Sequence, residues 1–212
     1  MKHDYSADKN SLRYNKNEIA SARLPGSSGR ERDQTSRFID KYYATGKPKI
    51  EVVALPELTS GAKAENLINP SVLVIACTSF PEKYAKLISS RFFLLDFDDI
   101  TNPDRKNSFQ THHVVSIRQF IEEAFENGAE IEKIIASCDG GRCRSAALAA
   151  ALMLLFGQND ELPIWNNNAY KPNKLVFETL CKELNLGLSK GAIEARQRMS
   201  ERAHSHSNNF LW

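Results

Sequence analysis

The chain has 212 residues, 42% of them hydrophobic and 25% charged, which is the composition of a soluble globular domain with extensions. It contains no apolar run of about 18 residues or more, so the sequence predicts no membrane span, and its first ten residues lack the apolar core of a secretory signal. Its four cysteines, at positions 77, 138, 143 and 181, do not form the pattern of a secreted disulfide framework, so we expect a reducing, cytoplasmic compartment.

The formal net charge of +2 is unevenly distributed along the chain. Residues 1–49 carry 11 Lys and Arg against six Asp and Glu, whereas the remainder carries 17 against 20. Residues 23–36 are rich in Gly, Ser and charge, which is typical of a loop, and residues 34–46 have the pattern of a short helix. We predict a basic, polar and partly disordered leader over residues 1–48, a folded domain over 49–204 and a tail over 205–212. Such a leader could contact anionic lipid or nucleic acid, but composition favours a solvated segment, and we do not expect a nucleic-acid partner.

Strand and helix patterns alternate along the rest of the chain. The apolar runs predict strands over residues 49–55, 71–80, 91–100 and 133–137, and helical periodicity predicts helices over 81–90, 112–128, 145–156, 173–184 and 189–203. Pro81 suits the first position of its helix, and Gly128 suits the position after the end of the next. This alternation predicts an α/β fold, with a central, mainly parallel sheet of four to five strands flanked by helices.

The densest chemistry lies between the fourth strand and the most apolar helix, in the sequence CDGGRCRS. Cys138 is separated from Arg144 by five residues, and Ser145 follows in the first turn of the helix. Asp139, Gly140, Gly141, Arg142 and Cys143 form the loop between them. A glycine-bearing loop that leads into a helix N-terminus presents free backbone amides and the positive end of the helix dipole, which favours an oxyanion such as phosphate. We therefore expect Cys138 to be a thiolate nucleophile and Arg144 to bind two oxygens of the anion.

This loop resembles the signature of the protein tyrosine phosphatase superfamily, and most of all that of its compact dual-specificity and bacterial phosphatase-like types. The resemblance covers residues 49–184. It implies a phosphatase-like fold and a cysteine-dependent phosphomonoesterase that works through a phosphocysteine intermediate without a metal or other cofactor. Ser145 would then stabilise the sulfur as a leaving group. The implied substrate is a phosphorylated protein or a small phosphomonoester.

The chain departs from that signature at two positions. The family usually has His before the nucleophile, where this chain has Ser137. Cys143 directly precedes Arg144, as in the low-molecular-weight phosphatases, whose overall order of motifs this chain does not follow. Cys143 could capture an oxidised Cys138 as a disulfide, or it could simply be a small side chain facing the core, which we favour.

The reaction also needs a general acid to protonate the leaving oxygen. The resemblance implies an Asp after an earlier strand, some 30 to 40 residues before the nucleophile. The segment FFLLDFDDITNPD offers four candidates, and we favour Asp99, then Asp98, with Asp104 third. Acidic residues at a strand end are otherwise ordinary solubilising caps.

Other functions stay open from the sequence. A phospho-binding pseudophosphatase is favoured only by Ser137, a phosphoinositide, nucleotide or RNA 5′-phosphatase only by Arg142 and the basic leader, and arsenate reduction only by Cys143. We assign no metal site, since His112 and His113 lack ligands at metal spacing and suit a helix cap better. Cys77 and Cys181 are predicted to be buried. Trp165 and Tyr170 could wall the cleft or pack the end of the domain, and we favour packing.

Overall fold

The computed structural model describes residues 48–128, 130–158 and 161–207. The predicted leader and the helix predicted over residues 34–46 lie outside these ranges, except that Pro48 is described and buried. The strands are β1 (Lys49–Ala54), β2 (Val72–Thr78), β3 (Phe92–Asp96) and β4 (Lys133–Cys138). The helices are α1 (Leu55–Ser60), α2 (Pro81–Tyr84), α3 (Thr111–Glu126), α4 (Arg144–Leu155), α5 (Leu162–Trp165), α6 (Lys174–Glu183) and α7 (Lys190–Ser207), with 3₁₀ turns at Ala64–Leu67 and Ala85–Leu87.

The four strands form one sheet in the order β1-β4-β2-β3, and every pairing is parallel. The predicted α/β class and parallel sheet are therefore confirmed. The sheet has four strands, where four to five were predicted. β4 lies inside the sheet, with β1 on one side and β2 on the other. Because parallel strands end at the same edge, the residue that ends β4 opens towards the loops that follow β1, β2 and β3.

The sheet is covered on both faces, as the continuous apolar strands predict. Side chains of β4 alternate between two clusters: Ile134, Ala136 and Cys138 belong to the larger one, and Ile135 belongs to the smaller. The helix α4 contributes to the larger cluster, and ten of its twelve residues are buried. This confirms that the most apolar helix runs through the interior, so the loop at its N-terminus is fixed by the core on which the helix packs.

Several element boundaries differ from the predictions. β3 ends at Asp96, four residues before the predicted end, so Asp98 and Asp99 belong to the following loop. The helix predicted over residues 81–90 is only the four-residue α2 followed by a 3₁₀ turn, and the loop predicted after Gly157 contains α5. The last helix, α7, continues to Ser207, past the predicted start of the tail at residue 205. Short segments carry little periodicity, which is why their ends are poorly determined by pattern alone.

Buried aromatic and polar contacts tie the C-terminal helices to the core. Trp165 is fully buried and packs edge-on against Phe177 of α6, with ring centroids 4.8 Å apart. Glu161 is buried as well and forms an ion pair with Arg196 of α7. Tyr170 is partly buried against the same cluster. The predicted packing role of both aromatic residues is confirmed. Within the described residues, no helix combines the length and apolarity needed to cross a membrane.

Candidate active site

The loop from Cys138 to Arg144 makes a tight turn directly after β4. The amide of Gly141 donates to the carbonyl of Cys138 at 3.1 Å, and Gly141 has a φ of +64°. A Cβ on this residue would lie 3.0 Å from the backbone nitrogen of Ala54, the last residue of β1. The loop therefore passes close to the end of β1 and needs glycine at position 141, for its backbone conformation and for space.

The thiol of Cys138 contacts the hydroxyl of Ser145, with 3.0 Å between the sulfur and the oxygen. Both residues are buried, Cys138 at the end of the central strand and Ser145 in the first turn of α4. The structure thus brings together the two residues that the sequence places seven apart. A hydroxyl at this distance can donate to a sulfur that carries negative charge.

Arg144 is almost entirely buried, with 5% of its surface exposed. Its Nη2 donates to Asp139 Oδ2 at 2.7 Å, and its Nη1 donates to the carbonyl of Phe97 at 2.7 Å and to Ser79 Oγ at 3.2 Å. Burial lowers the pKa of the guanidinium, but the hydrogen bond and charge of Asp139 outweigh it, and the net pKa is raised. The Nε of Arg144 is buried and has no hydrogen-bond partner among the described residues. The side chain is therefore a fixed cation whose Nε donor is unused.

Asp139 is the centre of a hydrogen-bond network that the sequence did not reveal. Besides Arg144, its carboxylate accepts from Thr78 Oγ1 at 2.6 Å and from the amide of Ser79 at 3.4 Å. Thr78 ends β2, so Asp139 joins the loop to the neighbouring strand. No sequence signal marked Thr78 or Ser79, because only the pairing of β2 with β4 places them beside the loop.

Backbone amides of the loop complete an anion-binding surface. In the described part of the chain, the amides of Gly140, Arg142 and Cys143 donate to no other protein group. They precede α4, whose first-turn amides carry the positive end of the helix dipole. Arg142 itself is exposed, and its Nε donates to the carbonyl of Ala169 at 3.0 Å. Its contact is thus with the loop before α6.

The three predicted acids are placed differently. Asp99 is the one beside the loop: its Oδ1 accepts from Asn173 Nδ2 at 2.6 Å, and its carboxylate is close enough to shift the pKa of Cys143. Asp98 is held by its backbone, which pairs with Asn107 and Ile100, and its carboxylate bonds to no described group. Asp104 is exposed, in a turn formed with Asn102. Asn173, which contacts Asp99, was predicted only as the start of a helix.

The two departures from the phosphatase signature have structural explanations. Ser137 is fully buried, and its hydroxyl donates to the carbonyl of Val53 at 2.7 Å, so it ties β4 to β1. Cys143 is half-buried, and burial together with the charge of Asp99 raises its pKa to about 11. We therefore expect the Cys143 thiol to be protonated, which agrees with the predicted role of Cys143 as a small packing side chain.

Outside the loop, two cysteines are buried and one histidine caps a helix, as the sequence predicts. Cys77 and Cys181 are buried, as predicted; Cys77 is also the register partner of Cys138 in the ladder between β2 and β4, which pattern reasoning missed. His113 caps α3, since its Nδ1 accepts from the amide of Gln110 at 2.9 Å. No group of three or more potential ligands for a metal ion occurs among the described residues.

Comparison with known proteins assigns no family. No protein-family model, curated protein or solved structure matches the chain. The resemblance to the tyrosine phosphatases therefore depends on the eight-residue motif, its position after a central parallel strand, and the side chains gathered around it.

Proposed function

We propose that this protein is a cysteine-dependent phosphomonoester hydrolase of the tyrosine or dual-specificity phosphatase type. One observation carries the proposal: the Cys138 thiol, in contact with Ser145, shares a loop with unpaired amides and a buried, charged Arg144 that retains an unused Nε donor. An unused buried donor is costly unless a ligand satisfies it. A tetrahedral phosphate matches this set of donors in charge and geometry.

The reaction would proceed in two displacements at phosphorus. In the first, the Cys138 thiolate forms the S–P bond while the bond from phosphorus to the leaving oxygen breaks, and Asp99 gives that oxygen its proton. In the second, water attacks phosphorus, Asp99 takes a proton from it, and the S–P bond breaks to release inorganic phosphate. Ser145 would stabilise the departing thiolate, and Arg144 with the loop amides would stabilise the equatorial oxygens in both steps.

The second candidate is a phospho-binding protein with little turnover. It is favoured by Ser137, whose hydroxyl is committed to Val53 and so does not supply the ordering hydrogen bonds that the family's His would give the loop. Both candidates predict phosphate binding, and only the first predicts turnover.

Hydrolysis of p-nitrophenyl phosphate by the wild type and by Cys138→Ser tests the proposal. We expect the variant to lose about 10⁴- to 10⁶-fold in rate, the scale on which removal of a nucleophile acts. Cys181→Ser is the matched control, because Cys181 is a buried cysteine on α6, outside the loop. This variant should retain activity. Equal background rates for wild type and Cys138→Ser, with retained binding of a phosphotyrosine peptide, would instead establish the phospho-binding function.

A further inference from the structure

We propose that Asn173 is a positioning residue that holds Asp99 against the phosphate-binding loop, so that proton delivery to the leaving group depends on its side-chain amide. The inference rests on the proposed hydrolase function and assigns a role to a residue outside the loop motif. Asn173 directly precedes α6, and only 4% of its surface is exposed. The polar atoms of a buried Asn need hydrogen-bond partners. Those of Asn173 bond to α6, to the segment that carries Asp99 and to the phosphate-binding loop.

The two ends of the Asn173 amide have separate partners. Its Oδ1 accepts from the amide of Val176 at 3.1 Å, which makes Asn173 the N-cap of α6. Its Nδ2 donates to Asp99 Oδ1 at 2.6 Å and to the carbonyl of Ile100 at 3.2 Å. The oxygen therefore serves the helix and the nitrogen serves the acid, so a substitution can remove one function and keep the other.

The backbone of the same residue is fixed to the phosphate-binding loop. The amide of Asn173 donates to the carbonyl of Cys143 at 3.1 Å, and the amide of Lys171 donates to the carbonyl of Arg142 at 3.1 Å. The segment before α6 thus runs along the second half of the loop. Asn173 contacts the loop through its backbone and Asp99 through its side chain, so it sets the position of the acid relative to Cys138 and Arg144.

Asp99 needs such a partner because the other side chain beside its carboxylate is the thiol of Cys143, which is a weak donor. Asp99 is exposed and follows β3 in a segment without helix or strand between Asp96 and Thr111. A free carboxylate samples several rotamers, and misplacing a catalytic group by about 1 Å can cost about 10²-fold in rate. A hydrogen bond accepted at Oδ1 is compatible with both the charged and the protonated carboxyl, since the proton can reside on Oδ2.

The leaving group separates this role from a merely structural one. Phenyl phosphate has a poor leaving group and needs the acid, whereas p-nitrophenyl phosphate has a good leaving group and needs it much less. Asn173→Asp is nearly isosteric and keeps the capping oxygen, but it loses the donor to Asp99. The parameter to compare is kcat/KM, which reports the steps up to loss of the leaving group and excludes the later hydrolysis step that both substrates share. We expect kcat/KM for phenyl phosphate to fall by about 10- to 100-fold and kcat/KM for p-nitrophenyl phosphate to fall by less than about threefold.

Three further variants make the result specific. Asn173→Ser keeps a capping hydroxyl, removes the donor and adds no charge, so it should reproduce the leaving-group-dependent loss and keep the experiment usable if Asn173→Asp folds poorly. Asn173→Asp in an Asp99→Asn background should not lower the rate with phenyl phosphate any further, because the two residues act as one unit. Ser189→Ala is the control for a lost cap: Ser189 Oγ accepts from the amide of Ala192 at 3.2 Å, and its loss should leave the ratio of the two rates unchanged.

The failures of the two proposals are distinguishable. If hydrolysis depends on Cys138 but both Asn173 variants slow the two substrates equally, or slow neither, the inference about Asn173 is wrong and the hydrolase function stands. If no hydrolysis depends on Cys138, the proposed function is wrong and the inference falls with it.

Discussion

Asp98 and Asp99 are adjacent, yet the fold gives their carboxylates different surroundings. The Asp99 side chain bonds to Asn173, while Asp98 is engaged through its backbone. The distinction arises because β3 ends at Asp96 and the chain then turns. Arg144 contributes to this arrangement, since it donates to the carbonyl of Phe97 just before the two acids. The residue that would bind phosphate therefore also anchors the segment that carries the acid.

The acid assignment can be tested by comparing Asp99→Asn with Asp98→Asn. We expect Asp99→Asn to lower kcat for phenyl phosphate by about 10²- to 10⁴-fold, because it removes the proton donor. Steady-state kinetics with both variants measure this change. Asp98→Asn, the matched isosteric change next to it, should keep kcat within a few-fold. The reverse ranking would make Asp98 the acid.

At the scale of single elements, the decisive feature is the junction of β4, its loop and α4. β4 is held by ladders on both sides, and α4 is buried along nearly its whole length. The loop between them therefore has fixed ends. Its shape is then determined inside the loop, by Gly141 against β1 and by Asp139 against β2.

Gly141→Ala tests this geometry, with Gly140→Ala as the matched control. The variant would force a side chain into a positive φ and place its Cβ 3.0 Å from the backbone of Ala54. We expect a loss of about 1–3 kcal/mol in the free energy of unfolding, measured by urea titration, and a loss of the proposed phosphatase activity. A Cβ on Gly140 meets nothing within 4 Å, so Gly140→Ala should change stability by less than about 0.5 kcal/mol. Equal losses for the two variants would contradict this account.

At the scale of the whole molecule, the larger hydrophobic cluster connects the sheet to the helices. His113, at the start of α3, packs against this cluster. Its ring stacks on Phe109 with centroids 5.2 Å apart and lies near the ring of Phe97. Burial, and the neighbouring His112, lower the pKa of His113 to about 4. The unfolded chain therefore binds a proton on this residue at a higher pH than the native protein does.

This shift predicts that stability falls with acidification. Since the pKa of His113 is depressed from 6.5 to about 4 in the native state, its contribution is fully present above pH 6.5 and is lost as the pH falls towards 4. The loss is at most about 3 kcal/mol. Urea titrations at several pH values should show that His113→Gln, which retains a capping side chain, has a shallower pH dependence than the wild type. His112→Gln should change it less, because His112 is exposed; an unchanged slope in His113→Gln would contradict the prediction.

Local pattern was enough to determine the fold class and the position of the candidate loop. Apolar runs alternating with amphipathic segments led to the parallel sheet, and the spacing of Cys138, Arg144 and Ser145 placed them at one strand–helix junction, because contacts over a few residues depend on local geometry. Tertiary structure decided the partners: Asp139 with Thr78, Ser137 with Val53, Arg144 with Phe97, and Asn173 with Asp99. The first three pairs depend on the order of the strands in the sheet, and the last depends on where α6 packs. Strand order and helix packing are set by burial of residues that are far apart in the sequence, so a short stretch of sequence does not predict them.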